Sequence, residues 1–202
     1  MVDQLNNALK NELLAMHQKD QRVREELAKD GSLFEGYHPK MQEVHDRNAE
    51  RLEQIIKQYG WPGKSLVDED AAHAAWIILH HAIAKPALQR KLLPTLKDLA
   101  QKGEIDKAEA AMLEDRILYL EGKAQIYGTQ FDWDENGQMS PLPIEIADKV
   151  DERRKQIGLP PLEQTTRRHR ENISQTKEKP PKDFEKRKKQ FAEWATAVGW
   201  RG

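Results

Sequence analysis

Apolar residues recur at three- and four-residue spacing through the first 121 positions, the period of amphipathic helices. Leu5, Leu9, Leu13, Met16, Val23 and Leu27 predict a first helix over about Asp3 to Lys29. After a loop from Gly31 to Pro39, the positions Met41, Val44, Leu52, Ile55 and Tyr59 predict a second, over about Lys40 to Tyr59. Gly60-Trp61-Pro62-Gly63 stops it. A third helix starts at Asp68 or Asp70 and is apolar on nearly every side, the pattern of a helix surrounded by protein. Pro86 opens a fourth, expected to break or kink at Pro94, and a fifth covers about Ile105 to Glu121. The period then changes. Gln125 to Phe131 is β-type, Asp134-Glu135-Asn136-Gly137 is a turn, and Met139 to Ile144 returns, which predicts a small hairpin. A helix-like segment, Ile146 to Ile157, ends at Gly158-Leu159-Pro160-Pro161-Leu162. The fold class is therefore mainly α: a compact helical domain with a small β-hairpin over residues 1–162, then a basic C-terminal extension over 163–202.

Polar residues interrupt these stripes at regular places. Asp20 takes a core position of the first helix, with Arg24 one turn on and positioned to pair with it. Asn48 does the same in the second helix, with His45 one turn before it. In the third, Trp76, His80, His73, Ile77 and His81 fall within an arc of about 140°. Gln89 lies inside the leucine arc of the fourth helix, and Arg116 sits amid the apolar arc of the fifth beside Asp115. Each has a structural reading, because a buried polar group must find a partner and a core Asn or ion pair can fix helix register. Together they predict a polar pocket between helices, with Trp61, Trp76 and Tyr127 as apolar walls.

The three histidines admit three roles: satisfied core groups, acid/base or substrate-binding groups, or metal ligands. His73 and His80 are separated by about 10 Å of helix rise, too far for neighbouring ligands of one ion. No metal ligand and no cofactor is assigned. A divalent ion shared by one histidine with Asp46, Glu114 or Asp115 is the lesser alternative. The Asp132-to-Gly137 run imitates an EF-hand start but places Pro143 where a bidentate Glu is required.

Composition adds exclusions. The chain has no cysteine, so disulfides, thiolate zinc sites and cysteine nucleophiles are out. Net charge is -1, which gives no global attraction to nucleic acid or membrane. The extension holds eleven Lys/Arg and six Asp/Glu, net +5, leaving -6 for the rest. Glu163 to Pro181 reads as a flexible basic linker and Asp183 to Val198 as a helix, with partner or phosphate contact as the extension's candidate role. Met1 to Asn7 lack the basic-then-apolar order of a signal peptide, and no run approaches the ~20 apolar residues of a membrane span, so a cytoplasmic protein is expected.

Several motifs coincide in order and spacing: Asp20-Gln21 with Arg24, Asn48 with Leu52, Gly60-Trp61-Pro62, Ala72-His73-Ala74-Ala75-Trp76 and His81-Ala82. Gln89, Asp115-Arg116, Gln125-x-Tyr127-Gly128-Thr129-Gln130, Pro143-Ile144 and Arg153-Arg154 through Leu162 continue the series. From about Glu12 to Leu162 the chain resembles an uncharacterised, mainly bacterial family catalogued as a domain of unknown function. That resemblance implies no activity. It implies that the inward polar residues belong to the family's pattern, from which His80 departs.

The functional expectation is an enzyme, a hydrolase or group transferase, acting on a small polar or anionic molecule or a peptide. His73 or His81 serves as acid or base, and Asp115 orients an imidazole or takes the proton. Arg24 and Arg116 hold an anionic group, and Asp20, Asn48, Gln89, Gln125, Tyr127 and Gln130 complete the binding set with the two tryptophans. The alternative is a non-catalytic binding or interaction module with a structural polar core and a partner-docking basic tail.

Overall fold

The computed structural model describes residues 5–30, 32–34, 36–176 and 179–202. Asp3, where the first predicted helix begins, and Gly31 in the following loop lie outside them. The chain divides into two compact units, Met1–Asp106 and Lys107–Gly202.

The first unit is helical. It comprises α1 (Asn7–Asp30), α2 (Pro39–Tyr59), the single turn α3 (Lys64–Val67), α4 (Glu69–His81) and α5 (Pro86–Gln101). The ends follow local chemistry. His38 caps α2 by accepting the Lys40 N–H, Pro39 fits the first turn, and Gly60 ends the helix at φ 77, a conformation glycine adopts without a Cβ penalty. Asp68 caps α4 through the Ala71 N–H. α1, α2 and α4 pack against one another around Leu13, Leu52, Ile55, Ile78 and Leu79. The break expected at Pro94 does not occur, and α5 runs through it as one helix. Pro94 is exposed, so its ring projects from the solvated side of the helix and not into the core.

The second unit contains α6 (Lys107–Leu120), the antiparallel strands β1 (Phe131–Trp133) and β2 (Met139–Pro141), α7 (Val150–Gln156), α8 (Leu162–Thr176) and α9 (Phe184–Ala197). Its core includes Leu113, Ile117, Leu120, Val150, Ala195 and Trp200. The hairpin pairs Phe131 with Pro141 and Trp133 with Met139. Asp134 shapes its turn by accepting the Asn136 and Gln138 N–H groups on Oδ1 and the Ser140 hydroxyl on Oδ2. The strands start later than the sequence predicts. Segment 125–130 is not a strand but keeps one bridge, Gln125 to Ile144, because its N–H groups are drawn elsewhere.

The segment read as a flexible linker after residue 162 is also corrected. Leu162–Thr176 is a helix and not a flexible linker, and it belongs to the second unit. His169 stacks on Phe131 at 4.2 Å between ring centroids, and Arg170 donates to the Met139 carbonyl and the Ser140 hydroxyl. In α9, Phe191 stacks on Tyr119 at 5.1 Å, and Arg187 pairs with Asp132 at 2.8 Å. These aromatic and hydrogen-bonding contacts tie down a segment whose composition alone suggested solvation. Among the described residues, no helix is long and apolar enough to cross a membrane.

Candidate functional site

Eight of the predicted site residues lie in the first unit and five, Asp115, Arg116, Gln125, Tyr127 and Gln130, in the second.

In the first unit, Asp20 occupies the α1 core stripe between Leu13 and Leu27, each seven residues away, and its side chain is 1% exposed. A carboxylate at a leucine position must find donors. They come from imidazoles. His81 Nδ1, in the last turn of α4, is 2.8 Å from Asp20 Oδ2 and hydrogen-bonds to it. His45 Nε2, on α2, is 3.3 Å from the same oxygen but lacks hydrogen-bond alignment. The pair expected between Asp20 and Arg24 is not made: Arg24 is exposed, and the imidazoles hold the carboxylate. Burial pushes the Asp20 pKa up, but the His81 hydrogen bond and the charges of both imidazoles outweigh it and hold the group well below the usual carboxylate range.

The far side of His45 is fixed by the Tyr37 hydroxyl, 2.8 Å from Nδ1. Rings continue outward from there. Tyr37 stacks on His45 at 5.7 Å, and the His45 and His81 centroids are 5.0 Å apart. Trp76 lies between His80 at 4.7 Å and His73 at 5.5 Å. His73, predicted to face inward, is exposed, whereas His80 is buried. His17 is half-buried, and burial lowers its pKa, opposed by Asp20 and reinforced by His73.

The remaining inward groups of this unit hold helices together. Gln89 is fully buried and donates to the Leu79 and His80 carbonyls, closing the C-terminal end of α4. Asn48 donates to the Met16 carbonyl at 3.4 Å and so links α2 to α1. Trp76 is buried and Trp61 half-buried.

In the second unit, Asp115 is fully buried, and its two oxygens accept five hydrogen bonds. The donors are the N–H groups of Ile126, Tyr127 and Thr129 and the Thr129 hydroxyl, with none from an imidazole. The same loop is gripped from its carbonyl side. Arg153 donates to the Ile126 carbonyl, and Arg154, 1% exposed, donates to those of Tyr127, Gly128 and Pro160. Gln125 locks the loop's ends through the Gln130 backbone and the Leu142 carbonyl. Gln130 is buried and donates to the Thr129 hydroxyl, while Tyr127 is half-buried with its pKa raised chiefly by burial. Arg116 is half-buried on α6. Asp115 therefore sits where a loop-organising carboxylate is needed.

The site that emerges is narrower than predicted, and two of its members were missed. His45 stood one turn from Asn48, the stripe break already noticed. Tyr37 lay in a loop with no periodicity to mark it.

Residues 7–177 match the family of unknown function DUF6624. The chain belongs to it. The match extends past the residues that carried the resemblance and takes in α8. Comparison with curated proteins and with solved structures finds no match. The family therefore brings no chemistry of its own, and the functional reading rests on the arrangement of Asp20, His45 and His81.

Proposed function

We propose that this protein is an enzyme, a hydrolase or group transferase acting on a small polar or anionic substrate, with its reaction centre at Asp20, His45 and His81. One observation carries the reading: imidazoles from two different helices converge on a single oxygen of a third helix's buried carboxylate. A core built for stability alone has no use for three such groups, since hydrophobic replacements of buried ion pairs are often neutral or stabilising. His81 keeps 22% of its side chain exposed, against 1% for Asp20 and 10% for His45, so it is the member that meets solvent and substrate. Arg24, exposed one turn further along α1, is a candidate contact for an anionic group. His73 is exposed and is not among the residues whose ligand atoms converge on the carboxylate, so it is left out of the proposed reaction centre. The absence of cysteine suits a reducing, cytoplasmic setting.

A second reading, a non-catalytic binding module, is favoured by the way Gln89, Asn48, Asp115 and Gln125 spend their hydrogen bonds on nearby backbone. The two readings separate in one assay. Purified protein is screened against small phosphate esters, carboxylic esters and short peptides. The enzyme reading expects turnover that falls at least about 100-fold in Asp20→Asn and in His81→Gln, both still helical by circular dichroism. Turnover surviving in both variants, or none from the wild type, favours the module.

A further inference from the structure

We propose that Asp20, His45 and His81 form a binding site for one divalent transition-metal ion. The proposal deepens the reading of this cluster as a reaction centre, and it stands on geometry of its own. One ligand atom from each residue lies within 4.8 Å of the other two. The shorter separations, 2.8 Å from His81 Nδ1 and 3.3 Å from His45 Nε2 to Asp20 Oδ2, are close to the ~3.4 Å expected between two ligands about 2.1 Å from a tetrahedral ion.

Two buried atoms in the cluster lack a hydrogen-bond partner: His45 Nε2 and Asp20 Oδ1. Their side chains are 10% and 1% exposed, so neither atom is left to bulk water. Buried polar atoms without partners are rare in folded proteins and point to an ion or a water. Two imidazoles and a carboxylate suit zinc, iron or manganese better than magnesium or calcium, which prefer all-oxygen shells. The three ligands come from α1, α2 and α4, so the ion would tie the three packed helices together.

The surroundings are those of a ligand set. The Tyr37 hydroxyl engages Nδ1 of His45, the nitrogen facing away from the carboxylate. With Nδ1–H donated to Tyr37, the lone pair of Nε2 is directed at the cluster, which is how ligating histidines are commonly oriented. Three protein ligands, one of them partly exposed, leave a coordination position for water or substrate, as in catalytic rather than structural sites. With the ion bound, His81 is a ligand, and the acid/base role expected from the sequence no longer belongs to it.

The test is zinc binding to the full chain after chelator treatment, followed by calorimetry. One ion per chain is expected. Asp20→Asn, His45→Ala and His81→Ala should each weaken binding at least about 100-fold, and Tyr37→Phe about 10- to 100-fold. His169→Gln, in the second unit, should bind as the wild type does. Cobalt(II) loading of the wild type gives a readout that needs no variant: visible ligand-field bands of a four-coordinate nitrogen/oxygen site are expected. No stoichiometric uptake of zinc, manganese or iron(II), no cobalt bands, or unchanged affinity in Asp20→Asn and His81→Ala would each overturn the proposal. Ion binding without turnover keeps the metal site and removes the enzyme reading. Turnover lost in Asp20→Asn, from a wild type that binds no ion, does the reverse.

Discussion

Asp20 and Asp115 are both helix carboxylates buried in the core, yet the two do different work. Asp115 gathers a loop. Its acceptor capacity goes to the Ile126, Tyr127 and Thr129 N–H groups and the Thr129 hydroxyl, donors that would otherwise be buried unpaired. Asp115→Asn keeps the shape but turns one acceptor oxygen into a donor facing other donors. The expected loss is about 2–4 kcal/mol, read from the urea unfolding midpoint. Gly128, in the same loop, has φ +67, and an added Cβ would come within 2.8 Å of Ile144 and 3.0 Å of Leu162. Gly128→Ala should cost at least about 1–3 kcal/mol by the same measurement, through backbone strain and the clash together. Asp20 instead meets imidazoles that fold back on it from distant parts of the chain. Sequence could mark Asp20 as anomalous, because its stripe predicted an apolar residue there; on α6 it marked the neighbouring Arg116, which is half-buried, and not the fully buried Asp115. It could not assign the partners: Arg24 stood at the right helical spacing, but His81, 61 residues away, took the carboxylate.

At the scale of elements, helix periods were legible wherever one face was apolar, and α2, α4 and α6 fall within a few residues of their predicted spans. Misreadings occurred where side chains redirected backbone. Segment 125–130 has strand-forming residues, but Asp115 takes its N–H groups and the hairpin shifts to Phe131–Trp133 and Met139–Pro141. α8 has few large apolar residues, and its place depends on His169 against Phe131 and on Arg170 against the β2 end. That stack predicts a pH dependence. Burial first, then Arg168 and Arg154, lower the His169 pKa from 6.5 in the folded chain. Below 6.5 the unfolded chain therefore binds more protons than the folded one. The contribution of His169 is full above that pH and is lost as pH falls through the lower folded value. The urea midpoint should drop between pH 7.5 and pH 5 by a component that His169→Gln removes.

For the whole molecule, the sequence suggested one domain with a tail, whereas the chain forms two units of 106 and 96 residues (1–106 and 107–202). The proposed reaction centre, its Tyr37 support and the leucine core around it all belong to the first. A fragment of residues 1–106 should therefore fold alone, with cooperative thermal loss of helical circular dichroism and with the zinc binding expected of the full chain; a non-cooperative, ion-free fragment would refute this. What the sequence determined by itself was local: helix periods, caps and stops, the absence of cysteine chemistry, and the stripe positions where apolar residues give way to polar ones. Those follow from short-range sterics and from one residue's own solvation cost. The tertiary structure alone decided which polar residues satisfy one another. That choice depends on how helices far apart in sequence pack, and it made Gln89 a helix closure, Asp115 a loop anchor, and Asp20 with His45 and His81 the one convergent cluster of potential metal ligands among the described residues.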